Sequence, residues 1–196
     1  MTLQYRADAA FHPWPEIRTG VYGYQDPETE GHTRRVADLT VYLAREMDVD
    51  ENHLADIHRG ALLHDIGMTS VPDTILHKPE LLTDEEWRVV RLHPVYAAQL
   101  LETASHRQPG LIEIPRWHHE RWNGTGYPDH LREEAIPFAA RLFAVADVWD
   151  SLTSDRPYRP AWTWIEAAQY IDEQSGTHFD PDVTRVFLKG RANIEV

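Results

Sequence analysis

Helix punctuation constrains this chain more than any other feature of its sequence. In LTDEEW, Thr83 stands as an N-cap with Glu86 three residues on, and Leu82 is placed to staple against Trp87. In TWIE, Thr163 and Glu166 repeat the device. Asp26-Pro27 and Asp180-Pro181 add two more starts, each an Asp cap followed by proline at the first helical position. Between these points apolar residues recur three and four apart, as in Val36, Leu39, Leu43 and Met47, then Leu54, Ile57, Ala61 and Leu62. The pattern predicts a helix from Asp26, a second from about Glu51 to a stop at Gly67, and a third from Thr83. Further helices are expected over 95–105, 111–120 and 137–152, from Thr163 to Gly176, and after Asp180. No hairpin or alternating strand signal competes. The expected fold class is all-α, with chemistry built from side chains that face inward across several helices.

The 196 residues suit one well-buried domain, read here as an irregular lead-in over 1–26 and a single helical unit over 27–196. A formal charge of −13 and a pI near 5.3 exclude a general grip on long nucleic acid, which needs a surplus of Lys and Arg on the contact face. The N-terminus lacks the basic start and apolar run of a signal peptide. The most apolar stretch, PFAARLFAVADVW, is interrupted by Arg141 and Asp147 and reads as a buried helix, so no membrane segment is expected. There is no cysteine, so any metal must be held by His, Asp and Glu, and the expected compartment is the cytoplasm.

Several polar residues fit this scheme poorly as mere surface. Glu28 and His32 stand four apart on one helix face. In isolation that pair reads as an acid near a helix N-terminus and an exposed imidazole. His64 and Asp65 follow the apolar GALL, where buried ionisable groups need partners, although such a pair can also simply bond the next loop. His93 precedes Pro94 at a helix start, where an ordinary turn residue is the commoner reading. His118 and His119 lie about 100° apart around a helix axis. They reach one cluster together only if the helix ends there and the chain turns away, and the NGTGYP that follows supplies that turn. Asp147 sits in the middle of the apolar FAVADVWD, where metal ligation outranks a bond to a neighbouring helix. Together these are five imidazoles and three carboxylates from separate segments, enough for a multinuclear site. A thiolate-free, histidine-rich set favours Fe, Mn, Co, Ni or Zn over Ca or Mg.

The order and spacing of ETEGHTRRV, HDIGMTSVPDTIL, RLHP, HHERWNGTGYP, IPFAARLFAVADVWDSLTSDRPYRPA and FDP, running from Glu28 to Pro181, resemble the HD-GYP family, a branch of the HD-domain metal-dependent phosphohydrolases. The resemblance implies that His32, His64, Asp65, His93, His118, His119 and Asp147 are metal ligands, with Asp65 shared between two ions and Glu28 matching a ligand for a third. It implies two or three divalent transition-metal ions, Fe or Mn first and Zn, Ni or Co after, with His64 and Asp65 as the catalytic pair. The implied reaction is hydrolysis of cyclic di-GMP to pGpG or GMP by water activated between two ions. Tyr127, Gly126, Met68, Arg156 and Arg159 match positions on the substrate side, the two arginines of RPYR being spaced to fork onto phosphate oxygens. The resemblance also suggests a diguanylate cyclase (GGDEF) partner docking on the GYP loop, and leaves an oligomer open.

Two positions depart from the family pattern. Met68 stands where HDIGK has lysine, and Asn123 stands where the loop usually has aspartate. Loss of one preorganised cation is worth roughly 10²–10³ in rate, so turnover is expected to be slowed or the substrate changed. The competing readings are an HD-type hydrolase of another cyclic dinucleotide or other nucleotide, an oxygen-activating di-iron relative, and a weakly active or non-catalytic cyclic di-GMP receptor.

Overall fold

The computed structural model describes residues 27–104, 109–155 and 159–192. Its helices are α1 (Pro27–Glu46), α2 (Glu51–Leu62), α3 (Asp73–Leu76), α4 (Asp84–Val90), α5 (His93–Ala104), α6 (Pro109–Trp117), α7 (Phe138–Thr153), α8 (Trp164–Glu173) and α9 (Pro181–Ala192). Short 3₁₀ turns add Ile66–Ser70 and Glu133–Ala135. Among the described residues no extended strand forms, in line with the all-α expectation; Ser175 and Phe179 make an isolated β-bridge.

The expected starts are realised. Thr83 and Thr163 each accept from the backbone N–H three residues on, while Glu86 and Glu166 reach back to the cap N–H. Leu82 and Trp87 pack into one small cluster with Met68, Val71 and Val90, which is the staple in place. Asp180 accepts from the N–H groups of Asp182 and Val183 at the start of α9. The cap expected at Asp26 lies outside the described residues.

Helix ends differ from those expected, and the differences shape the site. α2 stops at Leu62 and not at Gly67. Leu63 N–H is shared by the Arg59 and Gly60 carbonyls, and the chain tightens into 3₁₀ bonds from Ile66 to Leu63 and from Met68 to Asp65. His64 and Asp65 therefore lie in the turn beyond the helix. Gly67 is a contact point: a Cβ there would fall 1.9 Å from the His93 carbonyl oxygen and 2.6 Å from Ala97 N, so only glycine lets this turn lie on the start of α5. α6 ends at Trp117, three residues before the expected end, which leaves His118 and His119 just past it. α8 ends at Glu173, short of Gly176.

α7 is the central element. From Ala139 to Ser151 every residue except Arg141 is buried, because α1 crosses one side of it while α6, α8 and α9 cover the rest. Phe143, Leu142 and Val145 meet Leu43, Ile114, Ile171, Phe179 and Phe187 in one apolar core. α2 packs between α1 and α6, and α5 packs on α6 and on the 3₁₀ turn that follows Asp65.

Candidate metal centre

Three histidines enter the centre in the same way. Each ring Nδ1 lies against a main-chain carbonyl three or four residues upstream: His64 on Ala61 (2.9 Å), His93 on Val90 (2.8 Å), His118 on Ile114 (3.0 Å) and Pro115 (3.2 Å). A carbonyl only accepts, so each Nδ1 carries a proton and donates it. When such a ring is neutral, Nε2 is left with a bare lone pair, free for a metal. These Nε2 atoms converge on Asp65, which lies 3.4 Å from His64, 3.2 Å from His93 and 3.5 Å from His118. The Nε2 atoms of His93 and His118 are 3.3 Å apart. With both rings neutral, two lone pairs face each other at that distance and repel, and a cation between them removes the repulsion. The donor set thus fits a divalent metal on its own geometry, with the ring orientation fixed from behind as metal-binding imidazoles require.

Asp65, His93, His118 and His119 offer one ligand atom each within 4.8 Å of one another. Burial opposes ionisation of Asp65, but the imidazoles of His64, His118 and His93 outweigh it and hold the carboxyl well below its usual range. Burial keeps His119 and His118 well disposed to the neutral form, and in both the neighbouring imidazoles add to the effect. Phe143 closes the inner side, 4.9 Å from the His64 ring and 5.8 Å from His118.

A second group adjoins this one. His32, on α1, has Nε2 3.2 Å from Asp147 and Nδ1 2.7 Å from Asp150, both carboxylates projecting from α7. Burial alone would lower its pKa, but the two carboxylates raise it to about 9 in the metal-free protein. Arg35 grips Asp150 with Nε at 2.5 Å and Nη2 at 2.9 Å, and also donates to Ser154 Oγ. Against the opposing effect of burial, His32 and Arg35 pull the Asp150 carboxyl down to about 2. The His32 and His64 rings are 6.1 Å apart, so the two groups share one pocket of donors.

The loop after α6 folds back over the cluster. Tyr127 N–H bonds the His119 carbonyl, and its ring stacks on His119 at 4.6 Å. Gly126 is buried against the main chain, where a Cβ would lie 2.4 Å from Arg121 N and 2.5 Å from the His119 carbonyl oxygen. Gly124 has φ +77, open to glycine at little cost. Asn123 keeps the turn: its side-chain oxygen accepts from Thr125 N–H and Oγ1. Glu120 is 2 % exposed and accepts from Asp129 N–H at 2.7 Å, pinning the far end of the loop.

Glu28 is in the first turn of α1, with its side chain outside what is described. Arg156 lies outside the described residues. Met68 is buried with Val71, Leu82 and Val90. Arg159 donates to the carbonyls of Ser151 (2.6 Å) and Leu152 (3.2 Å), tying its segment to the end of α7. Asp150, Arg35 and Glu120 were missed by the sequence reading. Asp150 had a legible signal, since Asp147 and Asp150 stand three apart on a helix and share a face.

Comparison with known proteins gives a consistent picture. A family model described as HD domain matches residues 24–183. The cyclic di-GMP phosphodiesterase response regulator RpfG of Xanthomonas campestris is 41% identical over 174 residues, covering 88% of this chain and 46% of that protein. The 3′3′-cGAMP-specific phosphodiesterase 2 of Vibrio cholerae is 36% identical over 163 residues, covering 83% of this chain and 31% of that protein. The chain thus spans less than half the length of these curated relatives. A crystal structure of the V. cholerae cyclic GMP-AMP specific phosphodiesterase V-cGAP3 superposes with a TM-score of 0.65 at 20% identity, over 87% of this chain and 45% of that one, which speaks for the fold.

Proposed function

The chain belongs to the HD-domain family, in its HD-GYP branch, and from that premise we propose that it is a metal-dependent phosphodiesterase that hydrolyses cyclic di-GMP to pGpG and onward to GMP. The observation that carries the reading is the convergence of the His93 and His118 Nε2 atoms, 3.3 Å apart, on Asp65 at 3.2 and 3.5 Å. Three imidazole and carboxylate donors that converge at such distances offer a divalent cation a ready ligand set.

Iron or manganese suits imidazole and carboxylate donors without thiolate. His93, His118, His119 and Asp65 would hold one ion, and His32, His64 and Asp147 a second with Asp65 shared. Bound there, the ions would supply Lewis acidity toward phosphoryl oxygens and lower the pKa of water. The protein's own groups do the rest. Asp65 stays ionised. Tyr127 stays protonated, because burial and the nearby Asp65 push its phenol up, so it can donate a hydrogen bond to a phosphate oxygen. Phe143 keeps the inner wall dry. Water adds to phosphorus, the bond to the ribose 3′ oxygen breaks, and that oxygen takes a proton to leave as a hydroxyl.

A second substrate reading, 3′3′-cGAMP, is favoured by the named activity of the V. cholerae relative at 36% identity. Both are tested by anaerobic loading with Fe(II) or Mn(II), incubation with each cyclic dinucleotide, and chromatographic separation of products. Linear product that disappears in the His64→Ala, Asp65→Ala double variant supports the phosphodiesterase. No product from either nucleotide at full metal occupancy refutes it and leaves a binding role.

A further inference from the structure

The chain has a net charge of −13, and its arginines are mostly paired. Arg35 is held by Asp150, Arg116 by Asp129, Arg141 by Asp180, and Arg159 by main-chain carbonyls. Two near the centre differ. Arg121 is half-buried two residues beyond His119, and among the described residues its guanidinium has no hydrogen bond or ion pair. Arg91, two residues before His93, lies 5.8 Å over the ring of Tyr127 and has no acidic partner there either. Both charges act on the Tyr127 phenol, and that of Arg121 also reaches Tyr170 and His178.

A guanidinium taken partly out of water without an anion is costly, so its place calls for a ligand that supplies one. The position of Arg121 is also fixed. Gly126 presses on its backbone nitrogen, and the next residue, Trp122, donates its N–H to the His178 carbonyl at 3.1 Å. Tyr127, stacked on His119, stands beside the cluster with the Arg91 guanidinium over its ring, and the charge of Arg121, from α6's trailing loop, reaches its phenol. A planar fork of donors held beside a metal centre matches phosphate oxygens.

We propose that Arg91 and Arg121 are a substrate-binding pair that grips phosphate oxygens of the cyclic dinucleotide beside Tyr127. The identity of the ligand rests on the phosphodiesterase reading; its anionic character rests on the two guanidinium groups.

The test compares the manganese-loaded chain with Arg91→Gln, Arg121→Gln, the double variant and Arg121→Lys, using Arg185→Gln as a surface control. It reads KM and kcat for cyclic di-GMP, manganese content, and retention of inorganic phosphate by equilibrium dialysis. Loss of a charge-assisted contact should raise KM about 10- to 100-fold per arginine with kcat little changed. Phosphate retention should fall in parallel, manganese should stay bound, and Arg121→Lys should recover part of the loss. Since Arg91 is exposed, Arg91→Gln tests the pair even if Arg121→Gln folds poorly. Cleavage with an unchanged KM in the double variant overturns the pair and leaves the phosphodiesterase standing. No cleavage, with phosphate retention that depends on the arginines, keeps the pair and sinks the cyclic di-GMP reading. Phosphate retention indifferent to both arginines, without cleavage, overturns both.

Discussion

Replacing Asp150 by asparagine tests the support behind the centre without touching a proposed ligand. The carboxylate is 6 % exposed and is shared by His32 Nδ1 at 2.7 Å and by two nitrogens of Arg35. Its pKa falls from the ordinary 3.8 to about 2 in the folded, metal-free chain. At ~1.36 kcal/mol per pKa unit that difference is worth about 2 kcal/mol of folding stability. The group is depressed on folding, so its contribution is complete above pH 3.8 and is lost as pH falls through about 2. Urea unfolding of metal-free Asp150→Asn and the parent chain should differ by about 2 kcal/mol at pH 7, with the gap narrowing below pH 4. Arg35 is half exposed and can turn to water, which keeps the loss below the ~3–5 kcal/mol of a fully buried broken pair. Metal affinity should also fall, roughly 10- to 100-fold, since His32 loses the carboxylate that orients it. A gap under about 0.5 kcal/mol at pH 7 would refute the reasoning, because it would class Asp150 with exposed ion pairs.

Other perturbations follow from the same geometry. His32 is raised to about 9, so in the metal-free chain its charged form stabilises fully below pH 6.5 and ceases to do so as pH rises through about 9. Metal must displace that proton, and affinity measured by calorimetry in buffers of different ionisation heat should climb up to about tenfold per pH unit from 7 to 9, with proton release at pH 7; flat affinity and no release would count against His32 as a ligand. Gly67→Ala puts a methyl 1.9 Å from the His93 carbonyl oxygen, so α5 must move; about 1–3 kcal/mol of stability should be lost by thermal unfolding, with reduced metal content. Glu120→Ala removes the acceptor of Asp129 N–H and should cost about 1–3 kcal/mol, whereas Glu120→Gln keeps that acceptor and should cost less. Equal losses in the two Glu120 variants would show that the loop is pinned by something else.

The fold was legible where the physics is local. A capping box satisfies backbone donors within four residues, so Thr83-Glu86 and Thr163-Glu166 announce themselves from sequence and appear as expected. Helix ends were not. Leu62 is not directly followed by glycine, and α2 ends because the next turn tightens to lie on α5, where Gly67 meets His93 and Ala97 far along the chain. Gly67 looks like a helix stop in one dimension and is a packing contact in three.

The centre shows the same division at higher stakes. That His64, His93 and His118 are candidate ligands can be read from motif order, but whether they can serve depends on which nitrogen faces inward, and that is set by carbonyls at Ala61, Val90 and Ile114 whose side chains carry no information about it. Any residue at those three positions would present the same oxygen. What must be preserved is the early end of each helix, which turns the ring back on its own last turn. The apparent faults in the helix reading, at Leu62 and at Trp117, are therefore the devices that fix the tautomers. A variant that extends α6 through His118 would bring the rings onto successive helical positions about 100° apart and disperse the cluster while every proposed ligand remained in the sequence.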